Sequence, residues 1–228
     1  MRRLLPEPAD DISVDDAYAS SLGSHPDRPW IGLCMVASID GSTVVGGVSA
    51  GLSSPTDTAV LVRLRRLADV IIVGAGTVRD EGYGAPDKVG QRIGVVTRTG
   101  HVDLTSTLFR SGAGFLITTE DSTFDTEDVD VVRAGRGSVD FEQAVRRLVT
   151  LVPACSIVQA EGGALLNGAL LDADAIDEIN LTTSPAAVGG VGPRLATGAA
   201  EHEHRFELRQ LAVDDESFLY ARWLRRRH

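Results

Sequence analysis

Apolar and polar residues alternate in blocks along the chain, and these blocks predict strands separated by helices. Residues 30–38, WIGLCMVAS, form an apolar run of strand length that ends in the turn signal IDGS. Residues 53–70 carry leucine and valine at helical spacing, with Ser53 or Ser54 as a candidate cap and a proline at the first helical position. The β-branched run at 70–76, VIIVGAG, follows directly and is typical of a buried parallel strand. The segment therefore predicts a parallel strand–helix–strand unit.

The same alternation continues to the C-terminus. Further strands are predicted over residues 92–98, 114–119, 129–135, 156–160 and 175–185. Further helices are predicted around 14–20, over 138–151 with Ser138 as the cap, and over 164–173. Residues 205–213 and 217–225 are predicted as two antiparallel strands joined by a tight turn at Asp214-Asp215. The chain thus predicts an α/β fold: a mostly parallel sheet flanked by helices, with a C-terminal antiparallel hairpin.

Composition places these elements in one compact domain. The 228 residues are 43% hydrophobic and 24% charged, which suits a single domain over residues 30–228. Residues 1–29 are acidic and rich in proline and serine, so they are predicted to be an N-terminal extension lying on that domain. Cys34 and Cys155 occupy apolar runs without metal-ligand spacing, so both are expected to be buried thiols in a reducing compartment.

The net charge of the chain limits the kinds of partner that it is expected to bind. A net charge of −10 argues against a broad electrostatic grip on nucleic acid or on an anionic membrane. No apolar run is long enough to span a bilayer, and the N-terminus lacks the apolar core of a signal peptide, so a cytoplasmic location is expected. Lys88 is the only lysine, and the C-terminal arginines, Arg222 and 225–227, are expected to form a solvated tail.

Four loops are predicted at the carboxyl ends of the parallel strands, where open α/β sheets bind ligands. They are residues 38–51, residues 73–84, Thr97-Arg98, and the strand–helix junction 159–171, QAEGGALLNGALL. The glycines of the second and fourth loops can offer backbone N–H groups to a phosphate, and Arg98 could hold the 2′-phosphate of NADPH. Each loop alone is equally compatible with a plain surface turn. Together they suggest an elongated ligand such as a dinucleotide with a substrate.

Other chemistries find little support in the sequence. There is no Gly-x-Ser-x-Gly nucleophile motif and no zinc-deaminase pattern of His-x-Glu with Cys-x-x-Cys. His202 and His204 lie close in sequence but have no evident third ligand, so no metal site is predicted.

Several long motifs in a fixed order resemble the pyrimidine-reductase family of riboflavin biosynthesis, the C-terminal domain of bifunctional deaminase–reductases. These motifs are MVASIDG, LRRLADVIIVGAGTVRDEGYG, VQAEGGALLNGALLDADAIDEINLTTSP and GGVGPRL. The resemblance covers roughly residues 30–225 and implies a stand-alone member with the dihydrofolate-reductase fold. It also implies NADPH-dependent reduction of 5-amino-6-(5-phosphoribosylamino)uracil by hydride transfer to the sugar carbon C1′, and a homodimer.

The resemblance also implies a set of site residues. NADPH would be bound by Ala37, Asp40, Gly41, Gly74, Ala75, Gly76, Thr77, Thr97, Arg98, Gly162, Gly163, Ala164, Leu165, Leu166 and Asn167. Substrate would be bound by Ser49, Arg65, Glu81 and Glu161, with Arg65 at its phosphate and Glu161 also as the candidate catalytic residue.

Two positions depart from the family pattern. Glu81 stands where many bifunctional members have aspartate, and Cys34 stands where they commonly have a lysine that reaches the substrate. A thiol cannot replace an ammonium group. Two alternatives therefore stay open beside the pyrimidine reductase: a reductase of dihydrofolate or another pterin, and a non-catalytic, nucleotide-binding regulatory module.

Overall fold

The computed structural model of the chain describes residues 1–126 and 128–227, so residue 228 of the predicted domain lies outside the described residues. The strands are, in chain order, β1 (Arg2–Leu5), β2 (Trp30–Ser38), β3 (Val70–Gly74), β4 (Arg92–Val96), β5 (Gly114–Thr118), β6 (Val131–Arg133), β7 (Ile157–Ala160), β8 (Glu178–Ser184), β9 (Phe206–Val213) and β10 (Leu219–Arg225). The helices are α1 (Val14–Ala17), α2 (Pro55–Leu67), α3 (Ala75–Glu81), α4 (Thr107–Arg110), α5 (Phe141–Leu151) and α6 (Ala164–Asp172).

Within the described residues the strands form one mixed sheet in the order β1-β9-β10-β8-β2-β7-β3-β4-β5-β6. Strands β8 through β6 in this order run parallel, whereas β10, β9 and β1 continue the sheet antiparallel. The predicted mostly parallel sheet and C-terminal hairpin are confirmed.

The position of β7 creates a crevice. It pairs in parallel with β2, placing Ala160 opposite Leu33, and with β3 on its other side. The chain leaves β3 toward β4, but it leaves β7 through α6 toward β8, beyond β2. Neighbouring strands whose connections diverge leave room between their loops, which is where open α/β sheets bind ligands.

Helices cover both faces of the sheet, which explains why its central strands are continuous apolar runs. In β3, Val70 and Ile72 pack in the core that α5 and α6 close. Ile71 and Val73 point to the other face, where α4 packs. A third cluster joins α1 and α2 to β2, β9 and β10.

Two helix starts refine the predictions. Ser54, rather than Ser53, caps α2, since its Oγ accepts a hydrogen bond from the backbone N–H of Asp57 at 3.1 Å. The predicted cap Ser138 for α5 was wrong. Asp140 takes that position, and its carboxylate accepts from the backbone N–H of Gln143 at 3.0 Å. The helix therefore begins at residue 141. Ser138 and Asp140 are both residue types that cap helices, and Asp140 occupies the cap position.

Arg222 is buried and Arg225 is half-buried, which corrects the expectation of a solvated tail, whereas the Arg226 side chain is exposed, as expected. The Arg222 residue is 3% exposed, and its Nη2 lies 2.7 Å from Oε1 of the equally buried Glu178. Arg225 and Arg227 both contact the Asp174 carboxylate, at 2.8 and 3.3 Å. These arginines therefore fix β10 to the body of the domain.

The predicted N-terminal extension contributes an edge strand, β1, and the short helix α1, whose Ala17 is buried. Both cysteines are buried, as predicted. None of the helices in the described parts of the chain is long and apolar enough to cross a membrane.

Candidate active site

The carboxyl ends of β2, β7, β3 and β4 open into a cleft of about 1430 Å³. Small-molecule pockets usually measure about 300–1,000 Å³, so the cleft has room for an elongated ligand or for two molecules. One side, here called the glycine wall, consists of residues 74–77, 97–99 and 163–166. A second group of lining residues, here called the α2 wall, consists of Ser53, Asp57, Leu61 and Arg65. Three of the four predicted loops thus contribute to the glycine wall. The remaining predicted loop, residues 38–51, lines the same cleft with some of its residues, including Ser49.

The glycine wall brings two backbone turns into contact. The N–H of Gly74 donates to the carbonyl of Gly162 at 2.7 Å. A Cβ on Gly74 would lie 3.3 Å from the backbone nitrogen of Gly163, and a Cβ on Gly163 would lie 2.9 Å from Oγ1 of Thr77. The second distance is shorter than real Cβ contacts, so a side chain at position 163 would displace the Thr77 hydroxyl, and one at position 74 would press on the backbone of Gly163.

Two helices begin at this wall without a side-chain cap. Gly74 precedes α3 and Gly163 precedes α6, and neither position can supply a side-chain acceptor. The first N–H groups of a helix have no intrahelical partner, and the positive end of the helix favours an anion there. Leu165, in the first turn of α6, is 73% exposed although it is apolar, so it offers a ligand a hydrophobic contact.

The α2 wall follows from helical spacing. Asp57, Leu61 and Arg65 are four residues apart, which places them on one face of α2, and all three line the cleft. The helical rise separates the backbone positions of Asp57 and Arg65 by about 12 Å. The wall therefore carries a carboxylate near one end and a guanidinium near the other.

Glu161 is the centre of a buried polar cluster between the two walls. Glu161 is 7% exposed, and each of its carboxylate oxygens accepts two hydrogen bonds. Oε1 accepts from Nε of Arg65 and from Nε2 of Gln159, both at 2.7 Å. Oε2 accepts from Nη2 of Arg65 and from the Tyr83 hydroxyl, both at 2.6 Å. All four acceptor sites of the carboxylate are therefore occupied.

The cluster sets the protonation of Arg65 and Tyr83. Burial lowers the pKa of Arg65, but the hydrogen bonds and negative charge of Glu161 outweigh it and raise that pKa. Burial, followed by the charge of Glu161, raises the pKa of Tyr83 well above its usual value. Arg65 is thus a permanent cation and Tyr83 a neutral hydroxyl, with the guanidinium 5.3 Å from the centre of the phenol ring.

The loop after β4 holds its two predicted residues differently. Thr97 is buried, and its Oγ1 accepts from the backbone N–H of Gly100 at 3.0 Å. Arg98 is exposed, lines the cleft, and makes no hydrogen bond or ion pair with any residue that the structure describes. Its guanidinium is therefore available to an anion.

Five predicted cofactor residues do not line the cleft: Ala37, Asp40, Gly41, Gly162 and Asn167. The Asp40 carboxylate instead accepts from the Ser38 hydroxyl and from the backbone N–H groups of Val188 and Gly189. The Ser38 hydrogen bond, followed by those two, lowers the pKa of Asp40 to about 2. Asn167 is fully buried and donates to the carbonyl of Leu195. Asp40 and Asn167 thus hold loops beside the cleft.

The predicted substrate residues Ser49 and Glu81 meet at the cleft, where the backbone N–H of Ser49 donates to Oε1 of Glu81 at 2.9 Å. Three further residues at the cleft, Gln159, Tyr83 and Asp57, were not predicted from the sequence. Gln159 could have been found, since strand alternation puts it on the same side as Glu161. Tyr83 could not, because it lies 78 residues from its partner.

Cys34 lines the cleft as a buried thiol. Burial, followed by the negative charges of Asp57 and Glu161, raises the pKa of this thiol well above its usual value. It therefore stays protonated and neutral. Outside the cleft, the rings of His202 and His204 are 5.1 Å apart, and no metal-binding group of three or more His, Cys, Asp or Glu side chains occurs among the described residues.

The sequence profile of the RibD C-terminal domain matches residues 29–220. No curated protein sequence matches the chain.

Solved structures share the fold. A pyrimidine reductase-like protein from Corynebacterium diphtheriae has a TM-score of 0.79 and 21% identity, with coverage of 95% of this chain and 100% of that one. A riboflavin biosynthesis reductase from Saccharomyces cerevisiae has a TM-score of 0.68 and 18% identity, with coverage of 90% and 93%. RibD from Acinetobacter baumannii has a TM-score of 0.71 and 17% identity, with coverage of 88% and 59%. The predicted dihydrofolate-reductase-like fold is confirmed.

Proposed function

Because the chain belongs to the RibD C-terminal domain family, we propose that it is an NADPH-dependent reductase of a ribosylamino-pyrimidine phosphate. The 5-amino-6-(5-phosphoribosylamino)uracil of riboflavin biosynthesis is the leading substrate. The observation that carries the proposal is the cleft, in which a wall of Cβ-free backbone and uncapped helix ends is combined with a wall that bears Arg65.

The glycine wall fits a dinucleotide. A pyrophosphate needs backbone N–H groups that no Cβ shields. Gly163 has no Cβ, and a Cβ built there would lie 2.9 Å from Oγ1 of Thr77. Residues 74–77 and 163–166 would hold the pyrophosphate and ribose. Arg98 would hold the 2′-phosphate, since its guanidinium has no partner among the described residues. When bound, NADPH supplies the hydride.

The α2 wall fits a phosphorylated substrate. Arg65 uses Nε and Nη2 to bind Glu161, which leaves Nη1 without a partner among the described residues and free to bind a phosphate oxygen. Reduction of the open-chain imine adds hydride to C1′ and one proton to the nitrogen, so that an amine forms. Glu161 would hold Arg65 and Tyr83 in place for this step, because its own acceptor sites are filled.

A pterin or dihydrofolate is the second candidate substrate. Cys34 is the observation in its favour, because a neutral, buried thiol stands where the bifunctional members commonly have a lysine cation that reaches the substrate. A pterin carries no phosphate there and would not need one.

The test is the loss of NADPH absorbance with the ribosylamino-pyrimidine phosphate and, separately, with dihydrofolate. The proposal expects turnover of the first compound and a product that gains two hydrogen atoms by mass spectrometry. Turnover of dihydrofolate alone would favour the pterin reductase. Tight binding of NADPH without turnover of either compound would overturn both and favour the regulatory module.

A further inference from the structure

Two arginines of the domain hold the segment in which α1 ends. Four consecutive backbone carbonyls, those of residues 17–20, each accept a hydrogen bond from an arginine side chain. Arg63 donates to the second and third of them, at 3.0 and 2.9 Å, and Arg222 donates to the first and fourth, at 3.1 and 2.8 Å. Carbonyls at the C-terminal end of a helix lack intrahelical partners, and cations are favourable there. Residues 17–20, here called the N-terminal clamp, are therefore bound at every carbonyl.

The N-terminal clamp lies outside the part of the chain that the family profile matches, which begins at residue 29. It nevertheless packs directly behind the lining of the cleft. Tyr18 is 1% exposed and belongs to the apolar cluster that contains Val60 and Leu64 of α2 and Cys34 of β2. Cys34 also lines the cleft. The clamp is therefore part of the core on which α2 rests.

Helical geometry places Arg63 on the side of α2 that faces away from the cleft. Successive residues of a helix are rotated by about 100°, so two side chains that are two residues apart point to nearly opposite sides. Leu61 and Arg65, each two residues from Arg63, line the cleft, whereas Arg63 is not among the lining residues. The clamp therefore binds α2 on its outer side, while Arg65 on the cleft side binds Glu161.

We propose that the N-terminal clamp positions the substrate-binding side of the cleft, and that Arg63 is the positioning residue through which it acts. Arg63 fixes the rotation of α2 and its distance from the sheet, and these set where Arg65 meets the substrate phosphate. The glycine wall comes from the loops after β3, β4 and β7, and the hydrogen bonds and ion pair of Arg63 go to the N-terminal segment instead. Binding of NADPH should therefore not depend on the clamp. The inference rests on the proposed reductase function.

The test is Arg63→Met, which keeps much of the side-chain length but removes every donor. Arg65 would bind the phosphate equally in the ground state and in the transition state, so its misplacement should appear in KM. We expect KM for the ribosylamino-pyrimidine phosphate to rise about tenfold, kcat to stay within about threefold and the Kd for NADPH within about twofold. A general loss of stability would instead lower kcat per mole of chain and leave KM unchanged. An unchanged KM, or an equal weakening of NADPH binding, overturns the inference.

Arg92→Met, at the start of β4, is the matched control. The Arg92 side chain is 19% exposed and that of Arg63 is 22% exposed, and each binds both a backbone carbonyl and an exposed aspartate. Arg92→Met should destabilise the fold comparably but leave KM unchanged. A similar rise of KM in both variants overturns the inference, because the effect would then be general. Arg63→Lys keeps the charge and a donor, so its KM should stay within about threefold of the wild-type value.

Hydrogen exchange of the free protein separates a failure of this inference from a failure of the proposed function. Backbone amides of α2, residues 55–67, should exchange faster in Arg63→Met than in the wild type, whereas those of α6, residues 164–172, should not change. This result without turnover by the wild type would support the hold of the clamp on α2 and reject only the reductase. Equal exchange of α2 in the wild type and in Arg63→Met overturns the inference.

Discussion

Arg65 and Glu161 form a two-point pair in the lining of the cleft, with Nε 2.7 Å from Oε1 and Nη2 2.6 Å from Oε2. The guanidinium comes from α2 and the carboxylate from the end of β7, so the pair joins the two walls. It also orients the one arginine nitrogen that remains for substrate. Disturbing the pair should therefore affect the reaction more than the binding of the dinucleotide.

Glu161→Gln should reduce turnover by about 100-fold and change the affinity for NADPH less than threefold, because an amide cannot make both charge-assisted bonds. The Arg65 side chain is 34% exposed, so the loss of unfolding free energy should be about 1–3 kcal/mol, below the full value for a buried pair. Steady-state kinetics and thermal unfolding measure the two effects. An unchanged kcat would remove Glu161 from the mechanism.

Gly163→Ala should weaken NADPH binding by about tenfold or more, because the added methyl group would lie 2.9 Å from Oγ1 of Thr77 and would both displace this hydroxyl and cover the backbone N–H groups beside it. Gly32→Ala is the control, since the nearest atom to its Cβ is 3.8 Å away, at ordinary contact distance. Fluorescence titration with NADPH compares them. Equal affinities would show that the glycine wall does not need the close approach.

Arg98→Leu should raise the Kd for NADPH by about tenfold and leave that for NADH unchanged, because only NADPH carries the 2′-phosphate. Arg66→Leu removes another exposed arginine at the cleft, on α2, and should change neither value. Calorimetric titrations with both nucleotides measure this. An equal loss for NADPH and NADH would contradict the assignment of Arg98.

Asp40→Asn should make the free energy of unfolding depend less on pH in the acidic range. The folded-state pKa of Asp40, about 2, is below its ordinary value of 3.8, so its ionised form is stabilised in the folded protein. That contribution is present above pH 4 and disappears as the pH falls through about 2. Urea unfolding between pH 6 and pH 2 should show a gap between wild type and variant that narrows toward pH 2. A constant gap would mean that the hydrogen bonds do not depend on the charge.

Arg222→Ala should lower the free energy of unfolding by about 3–5 kcal/mol, because it leaves the Glu178 carboxylate buried without its cation. Arg226→Ala, which removes an exposed pair with Glu207, should stay within about 0.5 kcal/mol of the wild type. Urea denaturation measures both. Similar values for the two variants would mean that water reaches Glu178.

Local features of the structure could be predicted from the sequence because neighbours in the chain decide them. The cap at Ser54 and the strand β3 follow from residues within a turn or two, and Gly163 follows from its place at a strand–helix junction. Ser138 and Asp140 show the limit of local rules. Both are good caps, and only the packing of Phe141 into the core decides between them.

The missed features depend on contacts between distant segments. Alternation along β10 gives the face on which Arg222 lies, but not that α1 would cover that face and bury it. Tyr83 reaches Glu161 only because β7 lies beside β3, and no spacing in the sequence encodes that strand order.

The insertion of β7 between β2 and β3 has a consequence for biosynthesis. A ribosome that adds about 5–20 residues per second needs several seconds or more to proceed from β2 to β7. During that interval β2 and β3 each lack a central neighbour, and two open strand edges invite pairing with other chains. Neither Glu161 nor Gly163 exists in the nascent chain at that stage. Ligands of the cleft can therefore stabilise the chain only after β7 and the residues that follow it have been synthesised. The open edges of β2 and β3 are exposed before any such ligand can bind.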